Sequence, residues 1–202
     1  MNKNILFLCG SLRAASLNAL TMRAAESLLP EGYTATYFDL AEIPLYNQDL
    51  DLEDGLPAVM GLREAIRSAD GVLWFTPEYN YGVPGVVKNA IDWASRPLFP
   101  QHCVVGTPMN GVVATMSATN GIRSLTDLRR YWSNIGGLSV PGPDCVIVNS
   151  YLHVSEVDGV PTLDEETQAQ VRLALRVLAN VIESGASEAI VANWHATVAA
   201  RG

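Results

Sequence analysis

Ile5-Leu6-Phe7-Leu8-Cys9, followed by Gly10-Ser11-Leu12-Arg13-Ala14-Ala15-Ser16-Leu17-Asn18, is the stretch that decides the fold. A strand with one wet face alternates apolar and polar residues. Here the apolar residues run without a break and stop at a glycine, which reads as a strand buried on both faces, as in a parallel sheet. From Leu17 to Leu29 the apolar residues recur at helical spacing, and Pro30-Glu31-Gly32 closes that segment. Strand, polar loop and helix make the first part of a parallel crossover unit, because parallel strands need a long connection.

The same alternation continues outward. Thr34 to Leu40, rich in Thr and Tyr, reads as a second strand. Ala41 to Gly55 is acidic and irregular and reads as a surface loop. Pro57 to Arg67 is expected to be a helix with proline in its first turn. Gly71 to Thr76 is the third strand, Pro84 to Ala94 a helix, Gly111 to Ser117 the fourth strand, and Ile122 to Ile135 a helix. Asp144 to Ser150 is the fifth strand, and Asp164 to Ser184 the last helix before Gly185. Five strand–helix pairs predict an α/β, doubly wound parallel sheet. No internal repeat or linker divides the chain, so residues 1–202 are expected to form a single domain with 186–202 as a C-terminal tail. Trp194 in that tail is expected to pack on the domain or on a partner subunit.

Composition excludes several function classes. The chain has 202 residues, 49% hydrophobic and 17% charged, and a formal net charge of −8. Such a surface repels nucleic acid and anionic membranes, so a phosphate ligand needs a local positive site. Cys9, Cys103 and Cys145 are widely spaced, which argues against a disulfide framework or a zinc site; Cys9 is expected to be a buried free thiol. His102, His153 and His195 lack metal-ligand spacing and read as loop or surface residues. Met1 to Gly10 has no leader pattern, and no apolar run reaches the ~18 to 20 residues that span a bilayer. The expectation is a cytoplasmic protein with no membrane partner and no nucleic-acid partner.

Open parallel sheets bind ligands at the carboxyl ends of their strands. In the loop after the first strand, Ser11, Ser16 and Asn18 offer donors at a helix start, and Arg13 offers a planar fork of positive charge. That set suits a terminal phosphate. It is neither a Walker A loop nor G-x-G-x-x-G. After the third strand, Pro77-Glu78-Tyr79-Asn80-Tyr81-Gly82-Val83-Pro84-Gly85 combines a stiff backbone with flat rings and amide donors, which suits a planar polar ring system. Lys88 and Asp92, four apart on the following helix, read as a surface pair. After the fourth strand, Ser117-Ala118-Thr119-Asn120-Gly121 is small enough for close approach to backbone. Each loop also has a plainer reading, as a helix cap or a rigid turn.

Together, Gly10-Ser11-x-Arg13-x-x-Ser16-x-Asn18 and Pro77-Glu78-Tyr79-Asn80-x-x-x-Pro84-Gly85-x-x-Lys88-Asn89-x-x-Asp92-Trp93 resemble the NADPH-dependent FMN reductase family of flavin, quinone, azo-dye and chromate reductases. The likeness runs from about Asn4 to Ile182. It implies a flavodoxin-like fold with strand order 2-1-3-4-5. By position, it implies that Ser11, Arg13, Ser16 and Asn18 hold the FMN phosphate. Pro77, Glu78, Tyr79, Asn80 and Gly82 would line the isoalloxazine, and Ser117 and Gly121 would match the third flavin loop. Gly82 stands where the family often has Ser, and Asn120-Gly121-Ile122 where it often has a Gly-Gly pair.

The implied activity is electron transfer from NADPH or NADH through bound FMN to a small acceptor: a quinone, an azo compound, a metal oxyanion or free flavin. The flavin would carry the chemistry, with no catalytic side chain and no metal. A homodimer or homotetramer is also implied, and Tyr81 and Trp93, near the expected site, are aromatics of the kind favoured at interfaces. A flavodoxin-like electron carrier without its own substrate specificity is the alternative, and a flavin-free phosphate-binding domain a more distant one.

Overall fold

A computed structural model describes residues 2–52, 55–97 and 102–199. Its strands are β1 (Lys3–Cys9), β2 (Tyr33–Phe38), β3 (Gly71–Thr76), β4 (Pro108–Ala114), β5 (Leu138–Ser139), β6 (Cys145–Ile147), β7 (Val154–Val157) and β8 (Val160–Leu163). Its helices are α1 (Leu17–Ala25), α2 (Pro57–Ser68), α3 (Gly85–Ala94), α4 (Ile122–Asn134), α5 (Glu165–Glu183) and α6 (Ala186–Ala199). The main sheet runs β2-β1-β3-β4-β5, all parallel, with β6 also on β4. This is the doubly wound order 2-1-3-4-5 that the resemblance implies.

The unbroken apolar runs have their explanation in the two faces of this sheet. Leu6, Leu8, Val72, Trp74 and Met109 pack with Val59, Leu62, Ile66, Val87, Ile91 and Trp132 on one side. Ile5, Phe7, Leu73, Phe75 and Val112 pack with Val171, Leu175 and Leu178 of α5 on the other. Every residue of β3 and β4 is buried, whereas edge strand β2 is half-exposed.

Two expected strands need correction, and one hairpin is additional. The fourth strand was expected at Gly111 to Ser117 but begins at Pro108 and ends at Ala114. Gly111 lies inside it, because a Cβ there would stand 2.8 Å from Leu125 Cδ1 and 3.0 Å from Leu128 Cδ2; the glycine marks close helix approach, not a boundary. The fifth strand is two short pieces, β5 and β6. Pro141 and Pro143 between them have no N–H to give a ladder, and Gly142 has φ +150. The hairpin β7–β8 was not expected. Its Asp158-Gly159 turn has φ +50 and +78, the pattern of a two-residue type I′ loop, and Val154 and Leu163 seat it in the core beside α1 and α5.

The segment read as a tail is helical over Ala186–Ala199, and residues 200–202 lie outside the described part. Trp194 packs on its own domain: its ring lies 6.0 Å from His102 and 3.5 Å from where a Gly136 Cβ would be. The acidic loop 41–55 holds a short 3₁₀ turn at Gln48–Leu50, and its residues 53–54 are outside the described part. Lys88 and Asp92 form the expected half-exposed pair at 2.5 Å. Trp93 is fully buried, with Nε1 donating to Pro44 O at 2.8 Å, so it is core and not an interface residue. No helix among the described residues is long and apolar enough to cross a membrane.

Candidate active site

The loop after β1 is tied down at both ends. Gly10 N donates to Phe75 O at 2.7 Å, joining it to the end of β3. A Cβ on Gly10 would lie 2.5 Å from both Thr76 Oγ1 and Val87 Cγ2, so only glycine fits. Ser16 is the N-cap of α1, and its Oγ accepts from Ala19 N at 3.2 Å. Ser11 is buried, whereas Arg13 is exposed and has no ion-pair partner among the described residues. Asn18 lines the cavity and also reaches across the fold. Its Nδ2 donates to Ala114 O at 2.9 Å and its Oδ1 accepts from Ala114 N at 3.0 Å, so its amide braces α1 against the end of β4.

After β3 the chain makes a tight turn. Tyr79 and Gly82 exchange two backbone hydrogen bonds, of 3.0 and 3.1 Å, across Asn80 (φ +49) and Tyr81 (φ +67). Two positive φ values in succession define a type I′ turn. Asparagine tolerates that region; a tyrosine there is strained. Tyr79 and Tyr81 stand 46% and 63% exposed. Glu78 points away from the turn: its Oε2 accepts from Gly121 N, Arg123 N and Ser124 N at 2.9, 3.0 and 3.1 Å, all at the start of α4.

After β4, Thr115 N donates to Ile147 O at 2.9 Å, and Ser117 O accepts from Asn149 N at 3.0 Å. Gly121 has φ +131, and a Cβ there would lie 2.5 Å from Val146 Cγ1, so this position also requires glycine.

These loops surround a cavity of about 440 Å³. It lies at the carboxyl ends of β1, β3 and β4, where the strand order reverses between β1 and β3, the expected place in such a sheet. Ser11, Arg13, Ser16 and Asn18 line it from the first loop, Pro77, Glu78 and Tyr79 from the second, and Ser117 from the third. Asn80, Gly82 and Gly121 do not; they shape the turn and the start of α4. Thr115, Met116 and Ser150 line it without having been singled out. Ser150 is the last residue of the expected fifth strand, whose carboxyl end reaches the same edge; that was the available signal.

The cavity's chemistry suits FMN. Its volume falls within the ~300 to 1,000 Å³ typical of small-ligand sites. Among the described residues Arg13 is the one cation in the lining, in a chain of net charge −8. Ser150 Oγ is buried without a hydrogen-bond partner, an orphan of the kind that marks a polar site. Burial pushes the half-buried Cys9 thiol up, and pushes Cys103 and Cys145 to about 11 and about 12, so these free thiols stay protonated at neutral pH.

Comparison with known proteins agrees. The model of the NADPH-dependent FMN reductase family matches residues 3–151. A NAD(P)H-dependent FMN reductase of Pseudomonas aeruginosa is 35% identical over 174 residues, 86% of this chain and 92% of that protein. A quinone reductase of Escherichia coli K12 is 41% identical over 128 residues, 62% of this chain and 67% of that one. Among solved structures, the flavoenzyme NAD(P)H:(acceptor) oxidoreductase FerB of Paracoccus denitrificans superposes with a TM-score of 0.79 at 28% identity, over 90% of this chain and 97% of that one. The chain therefore belongs to the NADPH-dependent FMN reductase family, as an oxidoreductase with FMN as cofactor and a nicotinamide nucleotide as electron donor.

Proposed function

We propose that this enzyme passes electrons from NAD(P)H through FMN to a quinone-like acceptor, with azo compounds, metal oxyanions and free flavin as further candidates. The observation that carries the reading is the cavity at the β1/β3 switch point, with its one unpaired cation and its polar first loop. Arg13, Ser11, Ser16, the second Nδ2–H of Asn18 and the amides at the start of α1 would hold the phosphate. Pro77, Tyr79 and Ser117 would line the ring, with Asn80, Gly82 and Gly121 setting the shape of their loops. When bound, FMN supplies the two-electron chemistry. The chain's own residues bind, orient and shield it. The relatives named quinone reductase support the acceptor class.

The same reading takes residues 1–202 as one FMN-binding domain, in a cytoplasmic protein. It also takes the enzyme as a homo-oligomer. Supporting this, Tyr79, Tyr81, Met116 and Ile122 leave apolar surface exposed around the site, where a second copy would shield the flavin. The test is anaerobic addition of NADPH or NADH to FMN-loaded protein, followed by a quinone. Rapid bleaching, rapid reoxidation by the quinone and ping-pong kinetics are expected. A flavin that bleaches no faster than free FMN would overturn the proposal.

A further inference from the structure

Glu78 does something that contact with the ring does not explain. Its side chain is 1% exposed, although it carries a charge. A buried carboxylate persists only where hydrogen bonds or ion pairs compensate its lost hydration. Here three backbone N–H groups converge on Oε2, from Gly121, Arg123 and Ser124. The first N–H groups of a helix have no intrahelical partner. Gly121, at the N-cap of α4, has no side chain with which to satisfy them, and no side-chain cap forms there. The cap comes instead from a residue 43 positions earlier. Its negative charge sits at the positive end of the helix.

Two further contacts close the same seam. Ser124 Oγ donates to Pro77 O at 3.0 Å. Arg123 stacks its guanidinium 4.7 Å from the Tyr81 ring centroid, with Nη1 3.9 Å from Glu78 Oε1. The loop after β3 and the loop leading into α4 are thus fastened together through one carboxylate. We propose that Glu78 is a positioning residue that locks these two loops into one unit, so that acceptance of the isoalloxazine, not of the phosphate, depends on its carboxylate. The proposal deepens the flavin-site reading and rests on it. A glutamine keeps one acceptor oxygen but loses the charge, and it sets an NH₂ near the Arg123 guanidinium. Alanine removes the cap.

The test compares wild type, Glu78→Gln, Glu78→Ala and Arg13→Ala. In ligand-free protein, hydrogen exchange of the Gly121, Arg123 and Ser124 amides is expected to quicken about ten-fold or more in Glu78→Ala, with β3 and β4 amides unchanged. Titrations of FMN and riboflavin, followed by flavin fluorescence, are expected to show an equal loss of about ten-fold or more for both ligands. Glu78→Gln should fall between, and both variants should shift the midpoint potential of bound FMN. Should Glu78→Ala fail to fold, Glu78→Gln carries the same comparisons. Unchanged exchange at the three amides, unchanged flavin binding, or a loss confined to FMN as in Arg13→Ala would overturn the proposal. Wild type that binds neither flavin would overturn the flavin-site reading and the ring clause with it, while the exchange data would separately decide whether Glu78 clasps α4.

Discussion

Asn18 separates two roles that its sequence motif merges. By position in the motif it is a phosphate ligand. In the folded chain it is 4% exposed, and its amide holds both backbone groups of Ala114, at 2.9 and 3.0 Å. Asn18→Leu keeps the branched shape and removes both hydrogen bonds. Ala114 would then have a buried N–H and a buried C=O without these partners, and each unsatisfied group costs about 1 to 3 kcal/mol. The expected loss is therefore about 2 to 6 kcal/mol, a large part of the ~5 to 15 kcal/mol that holds a typical protein folded. In a chain of this size each kcal/mol moves Tm by about 2 to 4 °C, so a mid-range loss of ~4 kcal/mol lowers it by about 12 °C. The assay is thermal and urea unfolding of ligand-free protein, with an FMN titration at a temperature where the variant stays folded. Asn18→Asp makes a sharper comparison. It keeps the acceptor for Ala114 N–H but turns a carboxylate oxygen toward the Ala114 carbonyl, and it should be destabilised at neutral pH. If ligand-free stability were unchanged and FMN affinity collapsed, Asn18 would act as a phosphate ligand alone and the brace would be irrelevant.

Arg13→Ala should weaken FMN binding by roughly ten- to a hundred-fold, since a hydrogen bond to a charged group is worth about 1.5 to 3 kcal/mol; riboflavin, which lacks the phosphate, should bind as before, and equal losses in parallel fluorescence titrations would contradict the assignment. Gly10→Ala should cost about 1 to 3 kcal/mol, because its Cβ would meet the buried Thr76 and Val87 side chains at 2.5 Å; an unchanged urea midpoint would refute the close approach. Hydrogen bonds from Thr167 and then His153 hold the Asp164 carboxyl at about 2, below its ordinary 3.8. A depressed folded value means stability that is present above pH ~4 and fades as pH falls toward ~2, so Asp164→Asn should flatten the stability curve in that window; a curve as steep as wild type's would show that other carboxylates govern it.

The strand–helix alternation and the two flavin motifs were legible in the sequence because both are local. Ile5 to Cys9 and Gly71 to Thr76 are unbroken apolar runs, and burial on both sheet faces leaves no other pattern open to them. The Asp158-Gly159 hairpin is equally local, since that dipeptide between apolar residues is a turn signal. What the chain could not reveal by itself lies wherever distant segments meet. Gly111 reads as a strand boundary in sequence, but α4 presses on it inside the strand, and Pro141 and Pro143 divide a strand that reads as continuous. Helix α6 carried too little pattern for its packing to be foreseen. Asn18 and Glu78 stood correctly within their motifs, yet only the tertiary structure decided what their side chains touch. Asn18 reaches Ala114, 96 residues on, and Glu78 reaches Gly121, 43 residues on. A side chain's type and local spacing declare which hydrogen bonds it can make. Which of them it makes depends on the donor or acceptor that the fold brings within 3 Å, and that is a property of the whole packed chain.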